Sequence, residues 1–159
     1  MAYLIRRMSE EDLNEVYSIE MESEHDTWDF EGFKIAFVQD ESYVLLDSEG
    51  MIIAGFLFGY ETADEFSISN IAIRKCYQNK GLAYQFLNHV IMEKKHIKSF
   101  FLEVRKSNLP ARRLYDKLGF VPLYIRKAYY QSPVEDALVM GLIREEQIIS
   151  QSQTEKKGL

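Results

Sequence analysis

The sequence predicts a single mixed α+β domain. Stretches rich in β-branched and aromatic residues are interleaved with stretches of helical apolar spacing, in the order β, α, α, β, β, β, α, β, α, β, β. A chain of 159 residues is long enough to bury roughly two thirds of its unfolded surface around one core. No internal repeat or linker divides it. Residues 1–145 are therefore expected to form one domain, and residues 146–159, "EQIISQSQTEKKGL", a polar C-terminal tail.

The elements follow in order. "YLIRRM" reads as a first strand, and Ser9 with Asp12 at the third position after it resembles a capped helix start. Leu13, Val16, Tyr17, Ile19 and Met21 then supply a helical stripe. A second helix is expected over residues 29–38, with Phe30, Phe33, Ile35 and Phe37 apolar. "SYVLLD", the turn "DSEG" and "MIIAGFLFGY" read as a hairpin, and "FSISNIAI" as the next strand of a meander. After "RKCYQNK", Gly81 opens a helical pattern through Leu82, Phe86, Leu87, Val90 and Ile91 that ends near "KKHIK". "SFFLEV" is the fifth strand. Asn108 can cap a short helix, Pro110 is tolerated in its first turn, Ala111, Leu114, Tyr115 and Leu118 form its stripe, and Gly119 ends it. "FVPLYIRKAYY" and "DALVMGLI" make the last two strands.

Composition excludes several function classes. The longest apolar runs are too short to cross a bilayer, and "MAYLIRRMSEED" lacks the basic, apolar and cleavage regions of a secretory leader, so a soluble cytoplasmic protein without membrane partners is expected. A lone cysteine, Cys76, allows no internal disulfide, and His25, His89 and His96 lack metal-ligand spacing, so no metal is expected. The net charge of −6 argues against nucleic acid. Its distribution is more informative: residues 9–31 hold ten acids and no Lys or Arg, whereas residues 74–117 hold eleven Lys/Arg against three acids. Two ligands of opposite sign would explain the split; a solvated acidic helix face with scattered lysines would explain it equally.

The segment "QNKGLA" lies between a strand and a helix, with Gln78, Gly81 and Ala83 in a polar-x-x-Gly-x-small pattern. A helix N-terminus carries unpaired N–H groups and the positive end of the dipole, and small residues let a phosphate approach the backbone. The nucleotide-triphosphate loop, which needs Gly-Lys-Ser/Thr, and the dinucleotide loop, which needs G-x-G-x-x-G after the first strand, are both absent. The plainer alternative is a glycine that relaxes a strand-to-helix turn.

"NIAIRKCYQNKGLAYQFLNHVI" followed by "FLEVRKSNLPARRLYDKLGF" resembles the acetyl-coenzyme A binding core of the GNAT N-acetyltransferases. Within that superfamily, "LEVRKSN", "ARRLYDKLGF" and "AYYQSPVEDALVM" resemble the bacterial ribosomal-protein-alanine N-acetyltransferases, the RimI type. The likeness spans residues 3–142. It implies a central, mostly antiparallel twisted sheet flanked by helices, with acetyl-CoA as donor and coenzyme A as product. It further implies that Ile71, Ala72 and Ile73 lend strand backbone to the acetyl and pantetheine groups. The loop from Gln78 through Asn79, Lys80, Gly81, Leu82 and Ala83 to Tyr84 would wrap the pyrophosphate, and Asn108 would hydrogen-bond the cofactor. Glu103 would accept a proton and Tyr115 donate one to sulfur. The implied acceptor is the N-terminal amine of a basic ribosomal protein, recognised by the loop that carries Trp28, and the enzyme a monomer or homodimer. Tyr129 and Tyr130, at the last hairpin, could line the slot for the acceptor's first residues or could equally form a packed aromatic edge. Relatives commonly carry Phe-Pro-Trp at Trp28, where this chain has "HDTW".

The chemistry is consistent with these roles. An α-amine with pKa near 8 loses its proton at a cost of roughly 1.4 kcal/mol at pH 7, whereas a lysine near 10.4 costs roughly 4.6 kcal/mol. An N-terminal acceptor is the easier one for a single carboxylate base. A phenol with pKa near 10 stays protonated beside a departing thiolate. Alternation puts Phe101, Glu103 and Arg105 on one strand face and Phe100, Leu102 and Val104 on the other. From spacing alone, Glu103 reads as an outward residue paired with a nearby base, and Tyr115 as a packed stripe residue. Two other functions stay open: acetylation of a small amine such as a polyamine or aminoglycoside, and a non-catalytic acyl-CoA-binding module. Retention of both Glu103 and Tyr115 weighs against the module.

Overall fold

The first strand, β1 (Leu4–Arg7), is tied to the helix that follows it by one carboxylate. The Arg6 guanidinium forks onto Asp12, with Nη1 to Oδ2 at 2.7 Å and Nη2 to Oδ1 at 2.9 Å. The backbone N–H of Ser9 also donates to Asp12 Oδ2, at 2.7 Å. These bonds, led by the one from Arg6, hold the Asp12 carboxyl below its usual pKa. The expected cap is therefore built through Asp12. A single 3₁₀ turn over Glu10–Asp12 leads into α1 (Leu13–Glu20), which buries Leu13, Val16, Ile19 and Glu20. This computed structural model describes residues 3–23, 27–47 and 49–144; His25 and Asp26 of "HDTW" and the polar tail lie outside the described residues.

Asp29 caps α2 (Phe30–Gln39) by accepting the Gly32 N–H at 2.7 Å. Only Phe33 and Ala36 of α2 are buried, and Ile35, expected in its stripe, is 54% exposed. The expected spacing drifts off the buried face there because a second apolar row on α2 has no layer to pack against. The meander follows as β2 (Glu41–Leu46), β3 (Ile53–Thr62) and β4 (Glu65–Ile73). β3 begins later than "MII" suggests, since Met51 and Ile52 are exposed in the turn. Then come α3 (Leu82–Glu93), β5 (Ser99–Arg105), α4 (Leu109–Leu118), β6 (Val121–Gln131) and β7 (Val134–Ile143). β7 starts two residues before the expected Asp136, where Val134 pairs with Gln131 to close the last hairpin.

The seven strands form one sheet in the order β1-β2-β3-β4-β5-β7-β6. Every neighbouring pair is antiparallel except β4 and β5. Both faces are covered, which is why β2 and β3 read as near-continuous apolar runs. On one face Tyr43, Leu45, Leu57, Phe66, Phe86, Phe100 and Tyr115 join α3 and α4. On the other, Val44, Leu46, Phe56 and Phe58 meet Leu13, Val16 and Phe33 of α1 and α2.

The parallel β4–β5 ladder has three pairs, Glu65↔Ser99, Phe66↔Phe100 and Ser67↔Phe101, and then stops. At that level β4 carries a bulge: Phe58 opposes Asn70 and Gly59 opposes Ile68, leaving Ser69 unmatched. A bulge bends its strand and sharpens its twist, so β4 turns away from β5 beyond it. Gly59 permits the close approach on the bulge's other side, because a Cβ there would stand 2.4 Å from the Phe66 ring and 2.7 Å from the Ser67 carbonyl oxygen. Gly59→Ala is expected to destabilise the fold by about 1–3 kcal/mol, since the second clash is with backbone and cannot relax through a rotamer. An unchanged denaturant midpoint in equilibrium unfolding would show that the bulge absorbs the methyl group.

Candidate active site

A cavity of about 860 Å³ occupies the gap where β4 and β5 separate. Residues 68–72 of β4 form one wall, residues 101–105 of β5 form another, and side chains from α1, α4 and β6 complete it. Glu103 is placed there by the alternation of β5, opposite Val139 of β7. Its side chain is 29% exposed and its Oε1 lies 3.0 Å from Arg126 Nε. The Tyr129 phenol also hydrogen-bonds to it, and that bond is the main reason the phenol's pKa is raised. Glu103 thus has the basic partner that its spacing suggested, and it also lines the cavity.

Tyr115 reaches the cavity from α4, whose start is fixed by Asn108: the side-chain Oδ1 accepts the Ala111 N–H at 3.2 Å. The ring packs against Phe120 at 5.9 Å between centroids. Only 7% of the residue is exposed, and burial pushes the phenol up to about 12. The hydroxyl has no hydrogen-bond partner among the described residues.

Trp28, Ile71, Ala72, Asn108, Tyr129 and Tyr130 also line the cavity. Ile73 does not; it packs on the α3 side of the core, and its carbonyl accepts the Gln78 amide at 2.9 Å. The loop from Gln78 to Tyr84 lies outside the cavity lining, at the end of β4 toward which the gap opens. Within it Asn79 (φ 63°) and Gly81 (φ 75°) are left-handed. A Cβ on Gly81 would meet nothing within 4 Å, so glycine is favoured there by conformation rather than by space. α3 has no side-chain cap, and its first backbone bond runs from Gln85 N–H to Gly81 O at 3.2 Å. The N–H groups of Leu82, Ala83 and Tyr84 are therefore left for an external acceptor.

Glu20 and Asn70 are among the cavity residues that escaped the sequence reading, and they are joined by an Asn70 Nδ2 to Glu20 Oε2 bond of 2.9 Å. Glu20 carried a readable signal. It continues the spacing of Leu13 and Val16 by four residues, which puts a carboxylate on the buried face of α1.

The acetyltransferase (GNAT) family profile matches residues 3–120 of the chain. The chain belongs to the GNAT acetyltransferase family. A Bacillus subtilis protein named as a putative [ribosomal protein bS18]-alanine N-acetyltransferase is 34% identical over 140 residues, covering 86% of this chain and 92% of that one. The Escherichia coli K12 [ribosomal protein bS18]-alanine N-acetyltransferase is 35% identical over 136 residues, covering 82% and 90%. A crystal structure of the Escherichia coli ribosomal-protein-S18-alanine N-acetyltransferase superposes with a TM-score of 0.82 at 30% identity, covering 92% of this chain and 98% of that one. The seven-stranded sheet and four helices are those of the GNAT fold, and the chain is an N-acetyltransferase. GNAT acetyltransferases use acetyl-CoA.

Burial of Tyr115 has a consequence for stability that depends on pH. A phenol whose pKa is near 10 unfolded and about 12 folded binds more protons in the folded state between those values, so stability falls as pH rises through that window. The two-unit displacement corresponds to a loss on the order of 3 kcal/mol. Tyr115→Phe should flatten the stability curve between pH 10 and about 12 relative to wild type. Parallel curves from urea titrations across that range would show that the phenol ionises without penalty.

Proposed function

We propose that this GNAT enzyme transfers acetyl from acetyl-CoA directly to the N-terminal α-amine of a ribosomal protein of the bS18 kind. The observation that carries the reading is the separation of β4 from β5 with Glu103 on one wall and the buried Tyr115 on another. Relatives at 34% and 35% identity that are named for this acceptor support it.

The residues present fit acetyl-CoA. β4 loses its β5 partner after Ser67, so the backbone groups of the Ile71–Ile73 stretch that point away from β3 can pair with an extended amide chain. The uncapped N-terminus of α3, with the loop from Gln78 to Tyr84, suits a pyrophosphate. Lys80, 5.4 Å from the centre of the Tyr77 ring, and Lys117, 5.7 Å from that of Tyr84, add positive charge beside it. Asn108 uses Oδ1 as the helix cap and keeps its amide N–H groups for a ligand. When bound, acetyl-CoA supplies the activated acetyl group as a thioester.

Glu103 takes the amine proton, directly or through one water, with Arg126 and Tyr129 fixing the orientation of its carboxylate. Trp28, Tyr129 and Tyr130 surround the acceptor's first residues. Tyr115 donates a hydrogen bond to the departing sulfur. A phenol near 12 facing a thiol near 8.5 would lose about 5 kcal/mol by giving up its proton completely, so donation of the hydrogen bond, not ionisation of Tyr115, is its contribution.

Acetylation assays with mass-spectrometric localisation should place the acetyl group on the N-terminus of a ribosomal-protein peptide and leave the same peptide with a blocked N-terminus unmodified. Transfer only to small amines would overturn the acceptor assignment. Glu103→Gln and Tyr115→Phe should each lower kcat by roughly 10²–10⁴ while changing acetyl-CoA affinity far less. Wild-type turnover in either variant would remove that residue from the chemistry.

A further inference from the structure

Glu20, the last residue of α1, is 4% exposed and lies on the cavity wall with Trp28 and Asn70. One carboxylate oxygen, Oε2, accepts the Trp28 backbone N–H at 3.1 Å and the Asn70 amide at 2.9 Å. Its other oxygen accepts no hydrogen bond, and the carboxylate has no ion-pair partner, among the described residues. Burial raises its pKa against those two bonds.

Five neighbouring acids of the same segment are committed elsewhere. Asp12 pairs with Arg6, Glu15 and Glu22 with Arg74, and Glu31 with Lys34, while Asp29 caps α2. Of the other glutamates lining the cavity, Glu103 already faces Arg126 and Glu65 is exposed. A charge on Glu20 is thus buried with no cation beside it among the described residues, an arrangement that costs free energy until a cation arrives. Its two bonds do not require that charge. A neutral glutamine has the same shape and one carbonyl oxygen able to accept from both Trp28 and Asn70. The charge is surplus to the structural role and opens onto the space the acceptor must enter.

We propose that Glu20 is the acceptor-binding carboxylate of this site, receiving the protonated amine of the incoming substrate through its free oxygen. The inference rests on the amine-acceptor reading above. At neutral pH most α-amines near pKa 8 are protonated, so the form that reaches the cavity is a cation. Glu20 holds it there, and Glu103 then takes its proton.

Trp28 is the one tryptophan of the chain and lines the cavity, so its fluorescence reports acceptor binding directly. The probes are a ribosomal-protein N-terminal peptide with a free amine and the same peptide with that amine replaced by hydrogen. Glu20→Gln should weaken binding of the free-amine peptide by roughly tenfold or more, as expected for a lost charge-assisted hydrogen bond, and leave the desamino peptide unaffected. KM for the acceptor should rise in step, with KM for acetyl-CoA at its wild-type value and Tm at or above that of wild type. Equal losses for both peptides, or no loss for either, would overturn the proposal. A Glu20→Gln protein of clearly lowered Tm would overturn it too, because the charge would then be structural. Glu20→Asp, which keeps the charge, should retain the preference for the free amine. If the wild-type enzyme acetylates only a small amine, the same KM comparison with that amine upholds Glu20 while the peptide reading fails. Normal peptide transfer with an unchanged acceptor KM in Glu20→Gln would remove the Glu20 role alone.

Discussion

β4 and β5 lie side by side in the middle of the sheet yet share only three residue pairs. Each is held firmly on its other edge, β4 by eight pairs to β3 and β5 by seven pairs to β7. The gap between them is therefore a fixed opening between two anchored strands, not a frayed edge. Backbone polar groups along such an opening need water or a ligand to satisfy them. An opening with both walls anchored can present them in a constant geometry. The two hydrophobic layers support the same feature, one carrying α3 and α4 and the other carrying α1 and α2. Side chains from both layers reach the cavity, Tyr115 from one and Glu20 from the other.

The parts of this arrangement that were legible in the sequence are those with a local cause. Alternation along "SFFLEV" orients Glu103, Asn108 marks the start of α4, and Gly81 marks the start of α3, each by a rule that spans a few residues. The separation of β4 from β5 has no such signature. It depends on a bulge in β4 set by its register against β3, with Gly59 making room, and nothing within "FSISNIAI" reports that. The partners of Glu103 were hidden for a similar reason. Arg126 and Tyr129 sit on β6, two strands away from β5 in the sheet order, and a contact across an intervening strand leaves no trace in sequence spacing.

The acidic stretch of residues 9–31 is drawn in part into the fold's own ion pairs and helix caps. As a run of ten acids it suggested an attractive surface for a basic protein tail. In the fold, Asp12, Glu15, Glu22, Asp29 and Glu31 are occupied by guanidinium groups, a lysine or helix N–H groups. The basic stretch is drawn down in the same way, with Arg74 paired to two of those acids, Lys94 held by Glu41 and Glu61, and Arg105 by Glu135. Among the charges these pairs leave over, Lys80 and Lys117 stand beside the start of α3 and Glu20 lies on the cavity wall.

That residue of uncommitted charge bears on selectivity. Exposed charges separated by more than a Debye length, roughly 8–10 Å at ordinary salt, are largely screened, whereas a buried carboxylate is not. An acceptor recognised through the acidic surface would be chosen by its overall basicity, and any lysine-rich tail would compete. An acceptor recognised through Glu20 would be chosen by a single ammonium able to enter a cavity between strands that Trp28, Tyr129 and Tyr130 also line. The proton then has to leave that ammonium, a step cheaper by about 3 kcal/mol for an α-amine than for a lysine at neutral pH. A buried anion that gathers ammonium groups without discriminating among them, followed by a carboxylate that deprotonates the more acidic ones readily, yields selectivity for chain ends without contact to any particular side chain.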